Sequence, residues 1–179
     1  MLHYKKRKPL IFCLLGMLSP QLMSQTCLTA EQYPDEWPAS RYTDHANGTV
    51  IDTKTQLMWK VCSEGQTWSA GACASTASTQ TWQSALAAAS TINAAAGYAS
   101  YQDWRLPNKK ELQSLAAINC VSPSINETVF PVTAERGYWS SSPYVNNSNF
   151  AWRVHFGDGS TSDDLRDSTY YVRLVRSGQ

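Results

Sequence analysis

Four sets of side chains in this chain could carry chemistry. The first is thiol chemistry. Cys27, Cys62, Cys73 and Cys120 follow an apolar N-terminal segment that holds Cys13. An even number of thiols in an exported chain points to two disulfides. Three pairings are open. Cys62–Cys73 closes a short polar loop with Gly65 and Gly71, and Cys27–Cys120 then ties the N-terminal tail to the end of a helix; this is the pairing expected. A zinc site would need C-x-x-C spacing or a Cys/His cluster, and the sequence has neither. The second set is Ser140, Ser141 and Ser142, with His45 or His155 as conceivable bases. There is no G-x-S-x-G elbow, and scattered histidines make no triad. A polar segment after Trp139 is expected, and no enzyme.

The third set is acidic: Asp158, Asp163, Asp164 and Asp167. Calcium takes several oxygen ligands. Here Gly159, Ser160 and Thr161 follow Asp158 where an EF-hand loop needs carboxylates. No motif supports calcium, so a solvated loop is expected, with no cofactor and no metal. The fourth set is for stacking and anion binding. Trp59, Trp82, Trp104, Trp139 and Trp152 could form a sugar platform, and Arg105, Arg153, Arg173 and Arg176 could hold anionic groups. Most of the tryptophans read as core, since each ring buries a large area. Arg105 reads as a forked donor to a nearby carbonyl or carboxylate. Trp68 and Tyr144, in polar loops, are better placed for exposed contact. Tyr144 to Asn149 and Ser160 to Tyr170 are rich in Tyr, Asn, Ser and Asp, which suit adaptable contacts. Tyr144, Asn146, Asn147, Asp163 and Asp164 are the candidate ligand-binding residues.

Export sets the context. Lys5, Lys6, Arg7 and Lys8 precede an apolar run, Leu10 to Leu18, that is short for a membrane span. Residues 1–24 read as a signal peptide cleaved after Ser24. Cys13 lies inside the apolar run, which argues against a lipid anchor; an uncleaved anchor is the rival reading. Removing this segment takes four of the 15 Lys+Arg and none of the 14 Asp+Glu, leaving 11 against 14 and a net charge of −3 with His neutral. Such a chain lacks the basic field of a nucleic-acid binder. A secreted or periplasmic location follows, with no membrane span after cleavage and possible cell-surface association.

Elements must position these groups. Residues 25–40 carry Pro34 and Pro38 and read as a tail ahead of one domain, 41–179. Arg41 to Lys60 reads as a hairpin: Val50-Ile51, a turn over Asp52 to Gln56, then Leu57-Met58-Trp59. Thr81 to Ala96 is a helix with Trp82, Ala85, Leu86, Ala89 and Ile92 on one face and Gly97 as its stop. Pro107, the N-cap Asn108 and Glu111 start a second helix over Lys109 to Asn119. Trp104 and Arg105 sit just ahead, as a fixed structural corner. Tyr138-Trp139-Ser140 is a short strand. Phe150, Trp152, Val154 and Phe156 alternate with Ala151, Arg153 and His155, which places the first four on a core face. Gly157 to Ser160 is a hairpin turn, and Thr169 to Arg176 a final strand. Strands flanking two central helices make an α+β domain.

Several separated pieces agree with one family. Asn47-Gly48-Thr49-Val50-Ile51-Asp52 to Leu57-Met58-Trp59, Asp103-Trp104-Arg105-Leu106-Pro107 to Glu111-Leu112, and Tyr138-Trp139-Ser140-Ser141-Ser142 come first. Ala151-Trp152-Arg153-Val154 and Tyr171-Val172-Arg173-Leu174-Val175-Arg176 complete the set. In this order they resemble the Lcl C-terminal domain family, the end domain of collagen-like bacterial adhesins. The resemblance implies a C-type-lectin-like fold, with two helices packed on irregular antiparallel β-sheets. That fold is shared with formylglycine-generating enzymes and many binding proteins. It also implies an adhesion role toward a glycan or a protein surface, with Trp104, Arg105 and Trp139 as structural motif residues; the alternatives are a formylglycine-generating-type enzyme and a structural accessory part of a surface assembly. Formylglycine-type activity would need redox cysteines in the C-terminal half, where only Cys120 lies. Gln56 stands where family members often have Gly, so a different turn is expected there. Leu174 stands where they often have Cys, and no collagen-like stretch is present. Non-reducing peptide mapping of the exported protein is expected to return Cys62–Cys73 and Cys27–Cys120; two free thiols, or another pairing, would overturn that assignment.

Overall fold

Period-two patterning builds the centre of the molecule. The computed structural model describes residues 25–178. The expected signal peptide and Gln179 lie outside the described residues. In chain order the strands are β1 (Thr26–Cys27), β2 (Tyr42–Asp44), β3 (Thr49–Asp52), β4 (Leu57–Lys60), β5 (Thr67–Ser69), β6 (Ala72–Ala74), β7 (Cys120–Val121), β8 (Gly137–Pro143), β9 (Phe150–His155), β10 (Thr161–Leu165) and β11 (Val175–Ser177). Helices α1 (Trp82–Ala95) and α2 (Lys109–Gln113) lie between β6 and β7. Every strand pair among the named strands is antiparallel. A four-stranded sheet runs β11-β4-β3-β2 and a three-stranded sheet runs β10-β9-β8, with two-stranded pairs β1-β7 and β5-β6. The domain is α+β, with two α-helices and two disulfides, Cys27–Cys120 and Cys62–Cys73.

Both larger sheets are buried on two faces. Val50, Trp59, Tyr138 and Val154 join one core cluster, with Leu112, Leu115, Ile125 and Phe130. Their strand neighbours Ile51, Met58 and Trp139, with Ala151, join a second cluster with Trp104, Leu106, Val172 and Leu174. Alternate side chains leave a strand on opposite faces, so β3, β4, β8 and β9 each feed both clusters. The α2 side chain of Leu112 closes the first cluster, and Ala85 and Ala89 of α1 close the second. Thr81 caps α1 by accepting from the Ser84 amide. Gly97 ends it at φ 74°, where a Cβ would come within 2.0 Å of the Tyr101 carbonyl oxygen.

Several elements differ from the sequence reading. α2 ends at Gln113 rather than Asn119. The Ser114 carbonyl, which would continue the helix, instead accepts from the Trp37 indole at 2.8 Å and from Arg41 at 3.2 Å. The short strand at Tyr138 extends to Pro143, with a register irregularity after Trp139. The loop expected over Ser160 to Tyr170 contains β10, paired along its length with β9. The final strand is confined to Val175–Ser177; Tyr170 and Tyr171 make isolated bridges to Gln80 and Tyr138. Gln56 adopts φ 57°, so the turn keeps the left-handed conformation that glycine favours.

A buried ion pair braces the start of the hairpin. Arg41 donates to Asp52 through Nε at 2.7 Å and through a terminal nitrogen at 2.5 Å, and both residues are buried. Asp52 also accepts from the Lys54 amide and the Thr55 hydroxyl. Burial alone would raise the Asp52 carboxyl, but hydrogen bonds from Arg41 and Thr55 hold it below the usual carboxylate range. A depressed folded value stabilises the fold above the unfolded pKa of about 3.9, and that share is lost as pH falls below it. Asp52→Asn, followed by urea unfolding, is expected to lose about 3–5 kcal/mol at neutral pH by stranding a buried guanidinium. It should also blunt the loss of stability below about pH 4. Wild-type stability in Asp52→Asn would show that the pair does not brace the hairpin.

Candidate binding surface at the open end of the three-stranded sheet

The site is positioned by a bulge of three serines. Trp139 pairs with Arg153 and Pro143 with Ala151, so Ser140, Ser141 and Ser142 oppose Trp152 alone. Ser140 donates its hydroxyl to the Trp152 carbonyl at 2.8 Å. Its own carbonyl accepts the Trp82 indole N–H at the start of α1. Ser141 donates its amide to the Pro107 carbonyl, and the Ser142 hydroxyl accepts the Lys109 amide at the start of α2. These hydroxyls are structural ties, and the segment is a bulged strand rather than a free polar loop.

The motif residues hold the corner behind this bulge. Trp104 is 2% exposed and donates its indole N–H to the Tyr98 carbonyl. Trp139 is fully buried and donates to the Gln80 carbonyl. Arg105 grips both oxygens of Glu111 at 2.7 Å, and Glu111 also accepts the Asn108 amide, completing the capping box. Arg105 therefore orients α2, as a forked donor does.

Beyond the bulge the sheet face opens to solvent. Tyr144 packs edge-on against Trp152 at 5.5 Å and against Phe150 at 6.5 Å. All three rings are half-buried rather than core. The Lys109 ammonium lies 3.7 Å from the Trp152 ring centre, a cation–π contact. Leu165, 48% exposed, sits opposite Phe150, and Asp163 sits opposite Trp152. Val145, 91% exposed, marks the tip. Asn146 donates to the Tyr144 hydroxyl at 3.3 Å, and Asn147 accepts the Asn149 amide to form the turn.

The structure divides the two candidate aspartates. Asp163 and Asp164 are consecutive on β10 and leave it on opposite faces. Asp163 shares the face of Trp152. Asp164 pairs with Ala151 and engages the other face. It accepts from the Tyr170 hydroxyl at 2.5 Å and from Ser168, and lies 3.4 Å from Arg153 Nε. Burial raises the Asp164 carboxyl, but the hydrogen bonds of Tyr170, Leu165 and Ser168 hold it below its ordinary value. Asp164 is thus a structural tie, not a free contact. The four arginines considered for anions are also engaged: Arg105 on Glu111, Arg153 over Tyr170, Arg173 on the Lys60 and Val61 carbonyls, and Arg176 on Asp103.

Lys109, Phe150 and Leu165 escaped the sequence reading as contact residues, and Trp152, weighed there for a sugar platform, was assigned to the core. Alternation put Phe150 and Trp152 on a core face, yet Ala151 between them is the fully buried residue. A small side chain flanked by two aromatics was the available signal that both faces of this strand pack.

The sequence profile of the Lcl C-terminal domain matches residues 48–176. The chain belongs to the Lcl C-terminal domain family. No curated protein matches it. The Lcl C-terminal match spans β3, β4, both helices, the serine bulge and the whole aromatic face. It leaves out β1, β2 and Arg41, so the residue that clamps Asp52 lies ahead of the matched Lcl region. Within this Lcl domain, Asp164→Asn is expected to cost about 1.5–3 kcal/mol, the range for hydrogen bonds to a charged group. Asp163→Asn should stay within about 0.5 kcal/mol. Thermal unfolding of the two variants checks the division, and equal losses would refute it.

Proposed function

We propose that this Lcl C-terminal domain is an exported, non-catalytic binding or adhesion module of the C-type-lectin-like type. Its contact surface is the face of Tyr144, Phe150, Trp152, Asp163 and Lys109, and its ligand is a polar surface with a flat apolar side, a glycan before a protein. The observation that carries this reading is three aromatic rings left half-exposed together at the open end of a sheet. Aromatic anchors on a rigid scaffold, bordered by one cation and one carboxylate, suit stacking plus hydrogen bonding. Two helices on either side of irregular antiparallel sheets support the lectin-like reading.

The non-catalytic part rests on how the reactive groups are used. All four cysteines among the described residues are bridged, which speaks against formylglycine-type thiol chemistry. The Ser140 and Ser142 hydroxyls are committed to the backbone, and His155 lies beside Asp158 at the hairpin turn. The two disulfides suit an oxidising compartment, secreted or periplasmic. No helix among the described residues is long and apolar enough to cross a membrane.

A glycan array and bacterial surface extracts, probed with the wild-type domain, would identify the ligand. Trp152→Ala and Tyr144→Ala should then each weaken binding about tenfold or more, as central aromatic anchors do. Binding unchanged in both folded variants would remove this face from the contact surface.

A further inference from the structure

A second recess lies on the other sheet, under the hairpin stapled by Cys62 and Cys73. It has a volume of about 230 Å³ and is lined by Tyr42, Asp44, Val50, Val61, Trp68 and Val129, among others. That is smaller than the roughly 300–1,000 Å³ of drug-sized sites, so a small head group is the right occupant. Trp68 sits on β5, opposite Cys73 of β6, so the disulfide fixes the hairpin that carries it. Its place depends on Gly48: a Cβ there would lie 2.7 Å from the indole ring.

The chemistry of the recess has a sign. Trp82 and Trp152, the other half-buried tryptophans, each already carry a cation, Arg166 at 4.1 Å and Lys109 at 3.7 Å. Among the described residues no cation is stacked on Trp68. Asp44, exposed at the rim, uses one oxygen for the Ala46 amide. Asp35 and Asp52 add negative potential at Tyr42. The one cation there, Arg41, 5.3 Å from the Tyr42 ring centre, is neutralised by Asp52. Tyr42 stays a neutral wall, because burial pushes its phenol up. An aromatic face over an apolar floor with a carboxylate at the lip favours a positive charge spread over carbon.

We propose that this recess binds a small methylated ammonium group, with Trp68 stacking on its methyls and Asp44 balancing its charge. The site is separate from the Tyr144–Trp152 face and does not rest on its function. Isothermal titration of the exported chain with choline, and with its uncharged isostere 3,3-dimethylbutanol, tests it. Choline is expected to bind about tenfold more tightly than the isostere. Asp44→Asn keeps the Ala46 hydrogen bond, and it and Trp68→Ala should each weaken choline about tenfold, while Trp152→Ala leaves it unchanged. No choline binding, or equal binding of the isostere, would overturn the proposal. So would unaltered choline affinity in Asp44→Asn, which decides the matter even if Trp68→Ala fails to fold.

Discussion

The three serines after Trp139 are the constraint on which both helices hang. A helix start leaves amide donors without intrahelical partners. In this domain the β8 bulge supplies such a partner at the start of α2 and a side-chain tie at the start of α1. It takes the Lys109 amide on the Ser142 hydroxyl and the Trp82 indole on the Ser140 carbonyl. A regular ladder would have spent the Ser140 carbonyl on β9. The irregularity in β8 is therefore what docks α1 on one side of the sheet and α2 on the other. It also fixes the aromatic face, since Lys109 reaches the Trp152 ring from a backbone held by Ser142.

A second constraint is a cation sealed inside. Arg173 is 1% exposed and donates to the Lys60 and Val61 carbonyls and the Thr133 hydroxyl. Phe130 lies below its guanidinium, with the ring centre at 4.8 Å. Removing a charge from water costs several kcal/mol, at least about as much as a lost buried pair, unless its donors are satisfied. Carbonyls of β4 and the segment after it take a terminal nitrogen and the Thr133 hydroxyl takes the other, while Nε has no partner among the described residues, so the C-terminal segment is registered against the hairpin by one side chain. An arginine used in this way has no fork left for a ligand.

What the sequence made legible was local. The capping box at Asn108, the hairpin around Asp52, the stop at Gly97 and the parity of the cysteines each depend on residues close in the chain or on simple counting. What it hid was long-range. A period-two pattern cannot say which of two buried faces holds a given aromatic, so Trp152 read as core. Thr161 to Leu165 has a polar composition with little β preference, and only pairing with β9 makes it a strand. The end of α2 is set by Trp37 and Arg41, more than 70 residues upstream, which claim a carbonyl that spacing alone assigns to the helix.

The position of β11 has a temporal consequence. In the four-stranded sheet β11 lies beside β4, and Val175 pairs with Trp59. Arg105 also exchanges backbone hydrogen bonds with Val175. Contacts between residues so far apart in sequence form late and slowly. A chain emerging N-terminus first thus holds β2, β3 and β4 as an open hairpin array until β11 arrives. The domain completes its core only once β11 is free to pair with β4, in whichever compartment that strand is released.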